Sequence, residues 1–221
     1  MESGGFDFHI VFHSIPFLAK GMGLTLLLTV LGIAGGLVFG TLLALARLAP
    51  FKVLSFVAGS YVNFFRSMPL ILVIFWFYFL VPLVLGQEIG AFQSVLIAFI
   101  MFEAAYYCEI MRAGIQSVKV GQAYAGEALG LTYPQNMRYV VLPQAFRNMI
   151  PILVSQAIVL FQDTALVYVV GLSDFLYSAD IVANSENRLM EMYVTVAIVY
   201  FALCSWGQFQ VRNLQKKFAH E

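Results

Sequence analysis

The stretch "GMGLTLLLTVLGIAGGLVFGTLLALA", residues 21–46, contains 26 consecutive residues without a charged side chain. A helix needs about 20 consecutive apolar residues to cross the hydrocarbon core of a bilayer. A helix also satisfies all its backbone hydrogen bonds internally, as lipid surroundings require. This stretch therefore predicts a membrane-spanning helix, and it places the fold in the membrane class.

Similar apolar segments follow along the chain. Hydrophobic residues make up 61% of the sequence and charged residues 11%, whereas soluble domains carry about 25% charged residues. Four further spans are expected, and they cover residues 66–88, 89–113, 148–171 and 191–212. The predicted fold class is an all-α integral membrane protein with five transmembrane helices. Residues 1–221 would form a single transmembrane domain, with residues 1–20 as a short outer segment.

The distribution of basic residues predicts the orientation. Short loops rich in Lys and Arg stay on the cytoplasmic side. If the N-terminus lies outside, ten of the 12 Lys and Arg residues fall inside or at the inner edge, and only Lys20 and Arg188 fall outside. The C-terminus is then cytoplasmic. The first residues are acidic and lack a basic start, so no cleaved signal peptide is expected.

Two features of the spans leave alternatives open. Gly32, Gly35, Gly36 and Gly40 either let another helix approach closely or represent the ordinary glycine content of a span. Residues 53–65 are also apolar, and joined to the second span they exceed one crossing. We expect them to begin the second helix at an angle or to lie along the inner surface.

A polar stretch, "GEALGLTYPQNMRYVVLP", residues 126–143, lies between the third and fourth spans and would be cytoplasmic. Residues 122–129 favour a short helix, and Gly130 fits its left-handed C-terminal cap. Thr132 fits the N-cap of a second helix, with Gln135 three residues later completing a capping box. The stretch therefore predicts two helices joined by a tight turn.

The second of these helices is expected to reach about Val141, with Pro143 ending it. A capped helix–turn–helix outside the bilayer favours a docking site for a soluble partner. A hairpin on the membrane surface with no partner is the alternative, and the local signals do not separate the two.

The spacing within this stretch resembles the "EAA" loop in permease subunits of binding-protein-dependent ABC importers. The loop pattern is Glu-Ala-Ala, three residues, Gly, nine residues, an aliphatic residue, one residue, then Leu-Pro. The later positions match here, and they fall on Gly130, Val140, Leu142 and Pro143. The Glu-Ala-Ala positions hold Tyr124, Ala125 and Gly126, so the family Glu is absent, and Glu127 lies one turn away in the same helix.

Several other segments are similar to the polar amino-acid permeases of that family and occur in the family's order. They read "AKGMGLTLLLT", "FRSMPLIL", "AAYYCEIMRAGIQSVKVGQ", "LPQAFRNMIP" and "LFQDTALVYVVGLSDF". Two segments, "FEAAYYCEIMRAGIQS" and "FQDTALVYV", are similar to the glutamate/aspartate subgroup in particular. The resemblance implies import of polar, acidic amino acids across the inner membrane of a bacterium.

The resemblance also implies the partners. Residues 114–147 would form the cytoplasmic coupling loop of a type I ABC importer, docked on a cytoplasmic ABC ATPase dimer. The loop residues implied to contact that ATPase are Tyr124, Ala125, Gly126, Glu127, Gly130, Leu142 and Pro143. A second permease, either a copy or a paralogue, and a periplasmic amino-acid-binding protein would complete the complex. Membrane lipid would surround it, and no nucleic acid is expected.

No motif indicates chemistry performed by this chain itself. The pattern G-x-x-x-x-G-K-[ST], which cradles the phosphates of ATP, does not occur in the sequence. ATP and Mg²⁺ are therefore expected only in the partner ATPase, and this chain is expected to be neither an enzyme nor a cofactor-binding protein. His9 and His13 have a spacing that suits a metal on a helix, but no carboxylate or Cys completes a site, so no metal is expected.

Charged residues inside spans indicate functional sites, because they are costly in lipid. Glu103 lies near the middle of the third span, and Asp163 lies near the middle of the fourth, between Gln162 and Thr164. Asp163 could accept a hydrogen bond from the ammonium of an amino acid, and Gln162 could donate one to a carboxylate. We predict that these residues line the substrate pathway. For Asp163 the alternative is a hydrogen bond to another helix that orders the fourth span.

Further charges lie near the inner ends of the spans. Arg66 either attracts acidic substrates and gates their exit, or extends to a lipid phosphate. Glu109 and Arg112 are three residues apart and are expected to form a structural pair. A membrane scaffold or assembly factor that does not transport is the alternative function. The carboxylates within spans and the docking loop favour the importer.

Overall fold

The computed structural model describes residue 6 and residues 8–219, and every regular element in that part of the chain is a helix. In chain order the helices are α1 (Phe8–Leu48), α2 (Lys52–Arg66), α3 (Leu70–Leu85), α4 (Ala91–Gln116), α5 (Val120–Ala128), α6 (Tyr133–Val170), α7 (Phe175–Ser185) and α8 (Leu189–Ala219). Helices α1, α4, α6 and α8 are each long and apolar enough to cross a membrane, and α2 with α3 makes a fifth candidate. The prediction of an all-α membrane fold is confirmed.

The first helix is longer than expected, because α1 continues unbroken for 41 residues from Phe8 to Leu48. Residues 8–20 of the expected outer segment belong to this helix, while residues 1–5 and 7 lie outside the described part. Packing against α7 explains the extension. Leu18 is buried in an apolar cluster with Phe175 and Ala179 of that helix, so the early turns of α1 have a partner.

Helices α2 and α3 form a broken pair, bent by 105°. Pro69 stands before α3 with an extended backbone, at φ −64° and ψ 135°. Proline disfavours helical geometry in the residue before it and has no N–H to continue the ladder. Residues 53–65 therefore do not continue straight into the second span, as both alternatives expected, and their placement along the inner surface stays a prediction.

Two prolines within helices are each preceded by a widened, π-helical turn. Such a turn covers Trp76–Leu80 before Pro82 in α3, and another covers Met137–Val141 before Pro143 in α6. The backbone hydrogen bond that closes each turn reaches back five residues. A widened turn relieves the clash between the proline ring and the carbonyl of the preceding turn. The prediction that Pro143 ends its helix is therefore wrong, because α6 continues through it.

The glycines of α1 let α4 approach closely. A Cβ added at Gly36 would lie 2.8 Å from the Cβ of Glu103, and one added at Gly40 would lie 2.8 Å from the Cβ of Tyr107. Side chains at these positions would force the helices apart. Of the two alternatives left open by the sequence, close approach describes α1.

Helix α7 was not predicted from the sequence. The buried Asp174 caps it by accepting hydrogen bonds from the N–H groups of Leu176, at 3.2 Å, and Tyr177, at 2.9 Å. Burial raises the pKa of Asp174 to about 6, although the backbone hydrogen bonds act in the opposite direction. An Asp directly before an apolar run is a usual N-cap signal, and this signal was available in the sequence.

Candidate functional site

The polar stretch forms the expected helix–turn–helix, which we call the coupling hairpin (residues 120–141). The turn after α5 contains Gly130 at φ +79°, in the left-handed region. The N–H of Thr132 donates to the side-chain oxygen of Gln135 at 2.9 Å. Both local predictions, the left-handed glycine and the capping box, are confirmed.

A contact that sequence reasoning missed fastens the two arms of the hairpin. The side-chain amide of Asn136 is almost fully buried, and its Nδ2 donates to the carbonyl of Ala123 at 2.8 Å. Gly126 lies against it, and any side chain at that position would collide with the Asn136 amide. Gly126 therefore allows the contact and Asn136 holds it. An Asn among turn residues gives no sequence signal that it is buried.

The coupling hairpin exposes large apolar side chains. Tyr124 is 64% exposed, Leu129 is 83% exposed and Tyr133 is 73% exposed. Among the other predicted coupling residues, Gly126 is buried, Leu142 is half-buried, and the exposed ones are Ala125, Glu127, Gly130 and Pro143. A group of exposed aromatic and aliphatic side chains on an otherwise polar segment is typical of a protein–protein contact.

Glu103 lies inside the helical bundle. It is fully buried, and the side-chain Nε2 of Gln156 in α6 donates to its two carboxylate oxygens at 3.1 and 3.3 Å. Gly36 of α1 packs against it from the other side. The structure thus gives Glu103 an internal bond between α4 and α6, and does not bring it together with Gln162 in one cavity.

Gln162, Asp163 and Thr164 mark the point where α6 changes its geometry. The α-helical part ends at Asp163, and a tighter 3₁₀ helix covers Thr164–Val170. Thr164 is buried, and its hydroxyl donates to the carbonyl of Phe161 at 2.7 Å. Gln162 is exposed and Asp163 is half-buried. 3₁₀ turns are frequent at the ends of α-helices, so the two polar side chains lie where the regular α-helical part of α6 ends.

Gln162 lines a cavity of about 510 Å³ between α6 and α8, which we call the α6/α8 groove. The other side of the groove comes from α8, including Ser205, Gln208 and Arg212 as well as Tyr200, Phe201 and Phe209. Sequence reasoning treated Arg212 only as a charge at the inner edge. The spacing of the three polar residues on one helix face was the signal that could have revealed them.

A group of four charged residues joins α1, α2 and α4, and we call Arg47, Arg66, Glu109 and Arg112 the Glu109 cluster. Arg47 donates to Glu109 at 2.5 Å, Arg112 also donates to it, and a nitrogen of Arg66 lies 4.0 Å from it. Arg66 further lies over the ring of Tyr106, at 5.5 Å from its centre. The predicted Glu109–Arg112 pair is confirmed. Arg66 belongs to this cluster and does not join Gln162 and Asp163.

Sequence comparisons identify proteins that are similar along nearly the whole chain. Residues 36–220 match the family model for the binding-protein-dependent transport system inner membrane component. The chain is 43% identical to the glutamate/aspartate import permease protein GltK of Escherichia coli, over 97% of this chain and 99% of that protein. It is 32% identical to the glutamine transport system permease protein GlnP of Escherichia coli, covering 96% of this chain and 97% of that one.

Solved structures have the same fold. One, titled as the crystal structure of an amino acid ABC transporter with histidines, matches with a TM-score of 0.91 at 32% identity, covering 97% of this chain and 100% of that one. The MetNI methionine ABC transporter in an inward-facing conformation matches with a TM-score of 0.68 at 20% identity, covering 92% and 95%, which is a likeness of fold alone.

Proposed function

The chain belongs to the family of binding-protein-dependent transport system inner membrane components, and from this we propose that it carries acidic amino acids inward. It is a multi-pass permease subunit of an amino-acid ABC importer, and a separate subunit is the ATPase. Glutamate and aspartate are the proposed substrates. The observation that carries this proposal is the 43% identity, over nearly the whole length, to a permease named for their import. Family membership favours transport over a scaffold role.

The coupling hairpin is the proposed docking site for a cytoplasmic ATPase dimer, which would bind the ATP and Mg²⁺. Its exposed Tyr124, Leu129 and Tyr133 support this role. The bond between Asn136 and Ala123 fastens the two arms of the hairpin together, and packed elements move as units. Because α6 is one helix from Tyr133 to Val170, a displacement of the hairpin would be transmitted along it to the polar residues within the bilayer.

The proposed substrate pathway includes Gln162, Asp163 and Thr164. The Asp163 carboxylate would accept a hydrogen bond from the substrate ammonium, and the Gln162 amide would donate one to a carboxylate. Thr164 would act through the backbone, since its hydroxyl bonds to Phe161 where the helix tightens. Gln162 lines the α6/α8 groove at the point where the α-helical part of α6 ends, which supports its place in the pathway.

Two further residues of the proposed pathway act from a distance. Glu103 would position α6 through Gln156, which lies six residues before Gln162. Arg66, with 41% of its side chain exposed in the Glu109 cluster, would attract an anionic substrate as it leaves. Both roles are positioning or electrostatic, because neither side chain lines the α6/α8 groove.

The proposed orientation has a periplasmic N-terminus and a cytoplasmic C-terminus, on the strength of the distribution of the 12 basic residues. A second permease, identical or paralogous, would supply the other half of the pathway, because five spans form a thin wall. A periplasmic binding protein would deliver the substrate.

Reconstitution tests the proposed function. The chain would be purified with its copurifying ATPase and permease, placed in liposomes with the binding protein, and assayed with labelled glutamate, aspartate, glutamine and arginine. Uptake of glutamate and aspartate that requires both ATP and the binding protein is expected. An assembled complex that takes up only glutamine or arginine would contradict the proposed substrate class.

A further inference from the structure

We propose that the α8 wall of the α6/α8 groove binds the side-chain carboxylate of the substrate, and that Arg212 selects acidic amino acids over their amides. This inference rests on the proposed function, because it concerns how the same pathway distinguishes glutamate from glutamine. It adds Ser205, Gln208 and Arg212 to the residues that contact the substrate.

The three residues share one face of α8, since their spacing is i, i+3 and i+7. All three are exposed and line the α8 side of the groove, to which α6 contributes Gln162. A polar stripe in an apolar span faces water or protein, because lipid offers its side chains no partner. The groove volume of about 510 Å³ also lies within the usual range for small-molecule sites, about 300–1,000 Å³.

Contacts between α6 and α8 order these residues along the groove. The ring of Phe161 lies 5.2 Å from that of Tyr200, and Ile158 packs on Gly207. The later residue of α6 therefore contacts the earlier residue of α8, which means that the two helices are antiparallel. Gln162 lies near the level of Tyr200, and Arg212 comes 12 residues later in α8. At about 1.5 Å per residue, this separation is about 18 Å along the helix.

The chemistry of this wall suits an anion. Amide, hydroxyl and guanidinium groups all offer hydrogen-bond donors, and none of the described residues that line the groove is acidic. Gln162 stands at one end, Ser205 and Gln208 follow, and Arg212 stands at the other end. A carboxylate moving along the groove would thus meet these donors in turn, beside the rings of Phe201 and Phe209, and a full positive charge at the end.

Arg212 differs from the arginines of the Glu109 cluster in having its charge available. Within residues 8–219 its guanidinium forms no ion pair or hydrogen bond, whereas Arg47 and Arg112 both bind Glu109. A free guanidinium can hold a carboxylate through two parallel hydrogen bonds. It would also offset the large cost of moving an anion out of water. A neutral amide such as glutamine needs no such compensation.

The test compares turnover of glutamate and glutamine in liposomes that contain the whole complex with saturating, loaded binding protein. Arg212→Gln is expected to lower glutamate turnover about ten-fold, the effect of losing one charge-assisted hydrogen bond, and to leave glutamine turnover almost unchanged. Arg212→Lys keeps the charge and should retain most of the preference for glutamate.

Lys216→Gln is the matched control, because it removes the same charge one turn later in α8, outside the groove. It should change neither rate.

Equal slowing of both substrates by Arg212→Gln, or the same selective loss in Lys216→Gln, would overturn the inference and favour an arginine that binds lipid phosphate. If the Arg212→Gln complex does not assemble, the same comparison of turnover with Gln208→Glu tests the inference instead. Its added negative charge should slow glutamate about ten-fold more than glutamine, and an unchanged ratio would again overturn the inference. A wild-type complex that imports no acidic amino acid contradicts the proposed function itself, before any variant is made, and this inference then falls with it.

Discussion

The Glu109 cluster and the α6/α8 groove both contain arginine but use it in opposite ways. In the cluster, Glu109 accepts hydrogen bonds from Arg47 and Arg112, and so joins α1 to α4. In the groove, Arg212 has no side-chain partner within residues 8–219, and it lines a cavity instead. Paired charges hold helices together, whereas an unpaired charge facing a cavity stays available to a ligand. The partners that the fold provides, and not the residue type, decide between the two roles.

The largest effect on stability is expected from Glu109→Ala, which breaks the cluster. The substitution leaves Arg47, Arg66 and Arg112 close together with no counter-charge. Losing one partner of a buried ion pair costs about 3–5 kcal/mol. Because the Glu109 side chain is 21% exposed, we expect about 2–3 kcal/mol after solvent screening. Thermal unfolding in detergent measures this loss.

The control for that experiment is Glu88→Ala, which removes an exposed carboxylate away from the cluster. It should leave the unfolding temperature nearly unchanged. If Glu109→Ala changes the unfolding temperature no more than Glu88→Ala does, the ion pairs of the cluster do not stabilise the bundle. The cluster and the groove would then not differ in the way described.

A smaller, pH-dependent effect is expected at Asp174, a buried carboxylate whose donors are backbone N–H groups. Burial raises its pKa from 3.8 to about 6 in the folded protein. The folded state then binds the proton more tightly than the unfolded state, so this contribution to stability is full below about pH 4 and is lost as the pH rises through about 6. Unfolding temperatures measured from pH 4 to pH 8 should show this decline. Asp174→Asn should remove it, and parallel curves for the two proteins would contradict the assignment.

An effect of about 1 kcal/mol or more is expected from Gly130→Val, because a β-branched residue is strained at a positive φ. The strain would disturb the turn of the coupling hairpin and leave the helices of the bilayer intact. We expect weaker association with the ATPase or ATP hydrolysis without transport, measured by copurification and by the ratio of uptake to hydrolysis. Gly121→Val is the control, since a Cβ there meets nothing and its backbone is not left-handed. Normal coupling in Gly130→Val would count strongly against docking through this turn.

The hairpin could be predicted from the sequence because its signals are local. A left-handed cap at Gly130 and a capping box between Thr132 and Gln135 depend on residues within one or two turns. The bond from Asn136 to Ala123 was not predictable, because it depends on how the two arms pack. The continuation of α6 through Pro143 was missed for a related reason, since sequence patterns do not reveal a π-helical turn.

The groove was predicted only in part. A polar residue in an apolar helix drew attention to Gln162, but its opposite wall comes from Arg212 and its neighbours on another helix. The pairing of α6 with α8 is set by contacts such as Phe161 with Tyr200, which no local pattern encodes. The same limit explains Glu103, whose partner Gln156 is 53 residues away.

Asp163→Asn tests the half-buried neighbour of the groove. The substitution removes the acceptor charge and keeps the volume, so transport of the assembled complex should fall more than its expression does. Uptake per assembled complex, with the amount of complex measured separately, gives the answer. Loss of assembly alone would favour the alternative in which Asp163 orders its helix by bonding another helix.

The smallest effect on stability, together with a clear effect on selectivity, is expected from Gln162→Glu. Gln162 is exposed and its side chain has no partner within residues 8–219, so the substitution should change unfolding by no more than about 0.5 kcal/mol. Glutamate passing beside the new carboxylate would meet a like charge, which repels strongly in a medium of low dielectric. Glutamine, which has a neutral side chain, would be slowed less. Uptake of both labelled substrates, normalised to assembled complex, separates a change of selectivity from a general loss. Equal slowing would mean that Gln162 does not sense the substrate charge, and the groove would then resemble the Glu109 cluster in having a structural role.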